Sequence, residues 1–184
     1  MTRVWLVRHG ATTAPPGVAI GSSNPPLSAL GWEQARHVAA ELASRPLARV
    51  LSSDLERAIA TAHTVAIPHH LDVEPTASLR EIDFGAWEGR SLADLWSEDP
   101  QAARAWEDDI RRTPSTFGES LADVESRVTG FWRSLGPPPD GIEIAIVAHR
   151  CILAVLRAVL TGESLEEAFT PQLDFATAMA VVAS

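Results

Sequence analysis

The sequence predicts an α/β protein in which a mostly parallel sheet lies between helices on both faces, a three-layer sandwich. Short apolar segments of strand length alternate along the chain with longer segments whose apolar residues recur at helical spacing. Strands that are joined through helices run parallel in one sheet. The chain has 184 residues, of which 46% are hydrophobic and 21% charged, as expected for one soluble globular domain.

The first half of the chain predicts a strand, a helix, a strand, a helix and a strand, in that order. These elements cover residues 3–7, 28–43, 48–53, 53–65 and 71–76. Ser28 is a typical N-cap residue for the first helix. Ser53 and Glu56 match a capping box, which predicts the start of the second helix.

The second half begins with a polar segment, residues 85–118, which contains tryptophans and is interrupted by Pro100 and Pro114. This composition predicts short helices and loops that form a lid-like insertion within a single domain spanning residues 1–184. A helix, a fully apolar strand, a buried helix and a final strand are then expected at 120–135, 142–148, 152–160 and 175–183.

Charge and cysteine content narrow the functional classes. The net charge of −9 argues against a broad surface for nucleic acid or anionic membranes, so an anionic substrate would need a locally positive pocket. The single cysteine, Cys151, rules out a disulfide within the chain, and the clustered ligands of a structural zinc site are missing. With no signal-peptide pattern and no apolar run of membrane-spanning length, the expected compartment is the cytoplasm.

Two predicted strands end in the same way. The strand WLV runs into Arg8 and His9, and the strand AIVA runs into His149. Ligands of open α/β sheets bind beyond the carboxyl ends of the strands, so the two imidazoles face each other there if these strands are neighbours. One histidine after a strand is more often structural, but two at matching ends favour a site.

Five motifs occur in a characteristic order. They are RHGAT at 8–12, SSDLERAIATA at 52–62, LREIDFGAWEG at 79–89, GES at 118–120 and AHR at 148–150. In this order they resemble the histidine phosphatase superfamily, in its phosphoglycerate mutase-like branch, over nearly the whole chain. The resemblance implies a phosphoglycerate mutase-like fold and a phosphomonoester hydrolase that uses neither a metal ion nor a cofactor.

The resemblance also implies roles for individual residues. His9 would attack phosphorus and carry the phosphoryl group as a phosphohistidine, and Glu81 would protonate the leaving alkoxide and then activate water. Arginine forks suit phosphoryl oxygens and stabilise the charge that develops on transfer. The residues that would bind these oxygens are Arg8, Thr12, Arg57 and His149.

Within this family, the chain looks most like the alpha-ribazole phosphatases of cobalamin synthesis, which act on a small phosphorylated metabolite. One alternative is a phosphoglycerate mutase-type phosphotransferase, which the compact acidic lid disfavours. A second is a non-catalytic phosphate-binding relative, disfavoured because His9 and Glu81 are both present. A Rossmann-type nucleotide binder would need a glycine fingerprint after the first strand, and this chain has prolines there.

Two points stay open at the level of sequence. The family usually has Gly or Gln after the late histidine, whereas this chain has Arg150, whose side chain could add charge to the site or point away from it. The oligomeric state is also open, a homodimer included.

Overall fold

A computed structural model of the chain describes residues 3–109, 111, 117–136, 139, 141–170 and 173–182. Its centre is a five-stranded sheet with the order β3-β2-β4-β1-β5. The strands are β1 (Arg3–Arg8), β2 (Leu47–Ser53), β3 (Val73–Thr76), β4 (Glu143–Ala148) and β5 (Ala178–Val182). Neighbouring strands pair in parallel, except that β5 runs antiparallel to β1. The predicted mostly parallel sheet is confirmed.

Seven α-helices lie within the described residues. They are α1 (Ala29–Leu42), α2 (Glu56–Ala66), α3 (Leu92–Glu98), α4 (Pro100–Asp108), α5 (Leu121–Leu135), α6 (Arg150–Thr161) and α7 (Leu165–Ala168). Alternate residues of β1 belong to two separate apolar clusters, because successive side chains of a strand point to opposite faces. One cluster contains buried residues of α5 and α6, and the other contains buried residues of α1 and α2. Helices therefore cover both faces of the sheet, as predicted.

The first two helices begin differently from one another. Ser28 caps α1 as predicted, and its side chain accepts a hydrogen bond from the Gly31 N–H at 3.1 Å. The capping box predicted for α2 is wrong, because Ser53 is still the last residue of β2 and the helix begins after Leu55 without a side-chain cap from that residue. The Glu56 N–H instead donates to Asn24 Oδ1 at 2.8 Å.

The last strand begins three residues later than predicted, at Ala178. Ala176 has a φ of 48°, in the left-handed region, and its N–H donates to the carbonyls of Arg8 at 3.0 Å and His9 at 3.2 Å. A non-glycine residue in this conformation is strained, and such strain is often found at functional sites. The turn holds Phe175 against the end of β1.

The segment predicted as a lid contains α3, α4 and a 3₁₀ turn over Gly85–Trp87. Its residues 110 and 112–116 lie outside the described residues. The Trp106 ring packs edge-on against Trp87 at 5.5 Å and Phe84 at 6.0 Å between centroids, so aromatic contacts join α4 to the motif at 79–89. Within the described ranges, no helix combines the length and apolar character needed to cross a membrane.

Candidate active site

The two strand-terminal histidines meet at the carboxyl edge of the sheet. β1 and β4 are parallel neighbours in which Arg8 pairs with Ala148, so the residues that follow each strand lie side by side. The ring centroids of His9 and His149 are 5.0 Å apart, and the His9 N–H donates to the Ala148 carbonyl at 3.1 Å. The structure thus meets the condition on which the predicted site depended.

His9 is buried and held in one tautomer. Its Nδ1 lies 2.8 Å from the Gly10 carbonyl, and because a carbonyl can only accept, Nδ1 carries the proton and Nε2 has a free lone pair. Burial lowers the pKa of His9 to about 3; the Gly10 hydrogen bond opposes the shift, and the charges of Arg57 and Arg8 add to it. The imidazole is therefore neutral near neutral pH, which is the form that acts as a nucleophile.

Arg57 and His149 form a second buried pair, with exposures of 1% and 0%. Arg57 Nε donates to His149 Nδ1 at 3.3 Å, so the proton of the neutral His149 ring lies on Nε2. Burial lowers the pKa of His149 well below its ordinary value, and the nearby His9 and Arg57 lower it further. His149 Nε2 has no hydrogen-bond partner among the described residues, so this site offers a buried N–H donor to a ligand.

Arg8 supplies a third donor group. Its guanidinium lies 4.0 Å from the Phe175 ring centroid, and one terminal nitrogen donates to the Leu173 carbonyl at 2.9 Å. The buried Nε atom of Arg8 has no partner within the described part of the chain. The Phe175 ring also lies 5.6 Å from the His9 ring, so one aromatic residue covers both groups. Sequence patterns did not single out Phe175, which lies within the segment predicted as the final strand.

Glu81 is half-buried, in a segment that follows a 3₁₀ turn over Ala77–Leu79. Its carboxylate accepts hydrogen bonds from the N–H of Ile82 at 3.0 Å and of Cys151, in the first turn of α6, at 3.4 Å. Burial raises the pKa of Glu81, against the opposing effect of these hydrogen bonds and of the Arg57 and Arg8 charges. A carboxyl group with a raised pKa retains its proton more readily and can act as an acid.

The Glu81 backbone is anchored by Arg127, which the sequence did not identify. Arg127 donates to the carbonyls of Glu81 at 3.2 Å and Ser78 at 2.8 Å, and it forms a salt bridge with Glu119 at 2.7 Å. Glu119 belongs to the GES motif and also accepts from the Asp83 N–H at 3.1 Å. This motif therefore holds the segment that carries the candidate acid.

Thr61 connects α2 to the residue that follows His9. Its hydroxyl accepts from the Gly10 N–H at 3.1 Å and donates to the Arg57 carbonyl at 2.8 Å. Thr61 and Arg57 are four residues apart on α2, a spacing that places them on one helix face. That spacing was visible in the sequence and could have identified Thr61.

The remaining candidates differ in their outcome. Thr12 lies at an isolated bridge with Leu27, its hydroxyl accepts from the Ala14 N–H at 3.3 Å, and within the described residues no hydrogen bond joins its side chain to either histidine. Its phosphate-binding role stays a prediction. Arg150, the first residue of α6, is exposed. Burial lowers the pKa of Arg8 and the Arg150 charge lowers it further, so Arg150 contributes positive potential to this edge. Across the described ranges, no three His, Cys, Asp or Glu side chains are grouped as metal ligands.

The chain matches a known protein family. A family model described as histidine phosphatase superfamily (branch 1) matches residues 4–183. The chain is 36% identical over 165 residues to the adenosylcobalamin/alpha-ribazole phosphatase of Escherichia coli (strain K12), an alignment that covers 89% of this chain and 81% of that protein.

Solved structures of phosphatases share the fold of this chain. The alpha-ribazole phosphatase from Shigella flexneri has a TM-score of 0.88 at 35% identity, over 97% of this chain and 89% of that one. A mycobacterial glucosyl-3-phosphoglycerate phosphatase has a TM-score of 0.85 at 29% identity, over 97% and 88%. The family model covers nearly all of the chain, so this protein belongs to branch 1 of the histidine phosphatase superfamily.

Proposed function

We propose that this protein is a phosphomonoesterase that hydrolyses a small phosphorylated metabolite through a phosphohistidine at His9. The observation that carries the proposal is the hydrogen bond from His9 Nδ1 to the Gly10 carbonyl, which leaves Nε2 unprotonated. Burial keeps the ring neutral, so the nucleophile needs no separate base to activate it. The phosphatase names of the relatives support the same reaction.

In the first step, the lone pair of His9 Nε2 forms a bond to phosphorus while the bond from phosphorus to the leaving oxygen breaks. The proton of the Glu81 carboxyl passes to that oxygen, so the product departs as a neutral alcohol and Glu81 becomes a carboxylate. The second step reverses these roles. The Glu81 carboxylate takes a proton from water, the water oxygen bonds to phosphorus, and the electrons of the N–P bond return to His9.

The buried donors supply the charge stabilisation. The N–H groups at Arg8 Nε and His149 Nε2 have no partner among the described residues, and each suits a phosphoryl oxygen. They lie in a region where water is largely excluded, so their effect on the developing charge is stronger than it would be in water. An anion can therefore bind here although the chain as a whole carries a charge of −9.

We propose alpha-ribazole phosphate as the first substrate to test, because two of the compared proteins are named for it. The mutase-type alternative is not favoured. A mutase holds its released product for rephosphorylation, whereas the α3–α4 segment carries an excess of Asp and Glu that would repel a phosphorylated product.

We further propose that residues 1–184 form a single histidine phosphatase domain and that residues 85–118 act as its lid. The single sheet, with cores on both faces, supports this organisation. A cytoplasmic location, independence of metal ions and cofactors, and the lack of nucleic-acid or membrane partners stay predictions.

Trapping the covalent intermediate tests the proposal. With a phosphate-labelled substrate and rapid acid-free quenching, the wild-type protein should show an acid-labile phosphohistidine, and His9→Ala should abolish it. His149→Ala should slow turnover yet retain labelling on His9. Labelling that persists in His9→Ala, or that maps to His149, would show that the two histidines have been assigned in reverse.

A second arm tests the metal-free mechanism. Turnover of p-nitrophenyl phosphate should be the same with and without EDTA. Complete loss of activity in EDTA, restored by a divalent ion, would contradict the mechanism. A panel containing alpha-ribazole phosphate, 3-phosphoglycerate and phosphoserine then identifies the leaving group by comparison of kcat/KM values.

A further inference from the structure

The carboxylate of Glu88, in the motif at 79–89, accepts five hydrogen bonds from the described residues. Its Oε1 accepts from the N–H groups of Gly21 at 2.9 Å, Ser22 at 2.7 Å and Phe84 at 3.3 Å. Its Oε2 accepts from the Ser23 N–H at 3.2 Å and the Ser23 hydroxyl at 2.6 Å. Burial raises the pKa of Glu88, but these hydrogen bonds outweigh that effect and the net shift is downward. Glu88 is thus a bound carboxylate rather than a proton donor.

The loop that Glu88 holds in turn positions Arg57. The two terminal nitrogens of Arg57 donate to the Ser23 carbonyl at 2.7 Å and to the Gly21 carbonyl at 2.8 Å. Its Nε donates to His149 Nδ1 at 3.3 Å. An unbroken series of hydrogen bonds therefore runs from Glu88, through residues 21–23 and Arg57, to His149.

The loop packs closely against the motif at 79–89. A Cβ atom at Gly21 would lie 2.0 Å from the Ile82 carbonyl oxygen and 2.5 Å from Glu88 Oε1. The backbone at Gly21 therefore packs directly on the segment that carries Glu81. Because a carboxylate has only acceptors, it suits a loop whose facing groups are all donors.

We infer that Glu88 is a positioning residue: it orders loop 21–23 so that Arg57 holds His149 with its proton on Nε2, ready to donate to the phosphoryl group. The expected effect of Glu88 on turnover rests on the proposed phosphatase reaction, whereas its expected effect on the His149 tautomer does not. An amide at this position would place N–H groups against the donors of Ser23 and break the arrangement.

The test compares Glu88→Gln with Glu74→Gln. Glu74 is the control, because its carboxylate also accepts hydrogen bonds, here two from Arg49, but in a half-exposed ion pair between β2 and β3. We expect Glu88→Gln to lower kcat/KM by about 10–100-fold through misplacement of Arg57, and Glu74→Gln to leave it unchanged. Equal values for Glu88→Gln and wild type would overturn the inference.

A double-mutant cycle with Arg57→Ala separates positioning from general destabilisation. If Glu88 acts through Arg57, adding Glu88→Gln to Arg57→Ala should cost less than about twofold, because the contact it supports is already gone. Losses that multiply in the double variant would show that Glu88 acts by another route, and would contradict the inference.

NMR of the His149 ring nitrogens gives a readout that needs no turnover. The wild-type protein should show a protonated Nε2 and an acceptor Nδ1, and Glu88→Gln should show a mixture of tautomers. An unchanged tautomer would refute the inference. An inactive wild type whose tautomer still responds to Glu88→Gln would instead refute only the phosphatase proposal.

A milder variant covers the case in which Glu88→Gln does not fold. Ser23→Ala removes only the hydroxyl that donates to Glu88 Oε2. It should lower kcat/KM by about fivefold, the scale of one typical intramolecular hydrogen bond, and shift the tautomer in the same direction. No change in either quantity would contradict the inference.

Discussion

Acidification should leave the nucleophile of this protein almost fully active. With a pKa of about 3 for His9, about 99% of the imidazole is neutral at about pH 5. An imidazole with the ordinary pKa of 6.5 would be only about 3% neutral there and would lose about 25-fold of its neutral form between about pH 7 and about pH 5. Phosphorylation of His9 should therefore vary little over this interval.

The assay is a rapid-quench, single-turnover measurement of phosphohistidine formation from p-nitrophenyl phosphate. This substrate has a leaving group that departs without a proton, so the titration of Glu81 affects it least. The ionisation of the substrate is followed by phosphorus NMR and divided out of the rate.

Phe175→Ala tests the physical cause, because the Phe175 ring lies 5.6 Å from His9 and shields it from water. Exposing the imidazole should raise the pKa of His9 towards 6.5, so the ratio of rates at the two pH values should increase. Trp32→Ala, which removes an exposed ring on α1, is the control and should not change the ratio. A wild-type rate that follows a midpoint near 6.5 would refute the reasoning.

Three further variants test other parts of the site. Glu81→Gln should lower turnover of alkyl phosphates by about 10²–10⁴-fold. The loss should be smaller for p-nitrophenyl phosphate if burst kinetics show that phosphorylation of His9 is limiting. Intact turnover of alkyl phosphates would leave Asp83 as the next candidate acid. Arg150→Gln should lower kcat/KM about two- to tenfold at low salt and make kcat/KM less dependent on salt concentration. An unchanged salt dependence would show that the Arg150 charge does not attract the anionic substrate. Gly31→Ala, whose Cβ would lie 1.9 Å from the Ala11 carbonyl oxygen, should cost about 1–3 kcal/mol of unfolding free energy in urea. Gly130→Ala in α5, where nothing lies within 4 Å, is its control and should add about 0.5–1 kcal/mol; equal effects would refute the packing argument.

Local sequence patterns were sufficient for the α/β class and for most of the elements. Continuous apolar runs identified β1 and β4, and helical apolar spacing identified α1 and α6, because both signals depend only on residues a few positions apart. Two local predictions were wrong, at the start of α2 and at the start of the last strand. The cap of α2 comes from Asn24, and the turn at Ala176 replaces the start of the predicted last strand, because both depend on contacts with remote segments.

The candidate site also has features that local sequence predicts and features that depend on remote contacts. The residues that end the strands can be read from the sequence, and the motif order indicated the family and the candidates His9, Glu81, Arg57 and His149. Their protonation states and tautomers follow from the folded structure. Burial at the carboxyl edge of the sheet lowers the pKa of His9, and Arg57 selects the tautomer of His149 from 92 residues away. Ionisation and tautomer depend on the dielectric and the donors that surround a group in space, and folding brings those surroundings together from distant parts of the chain.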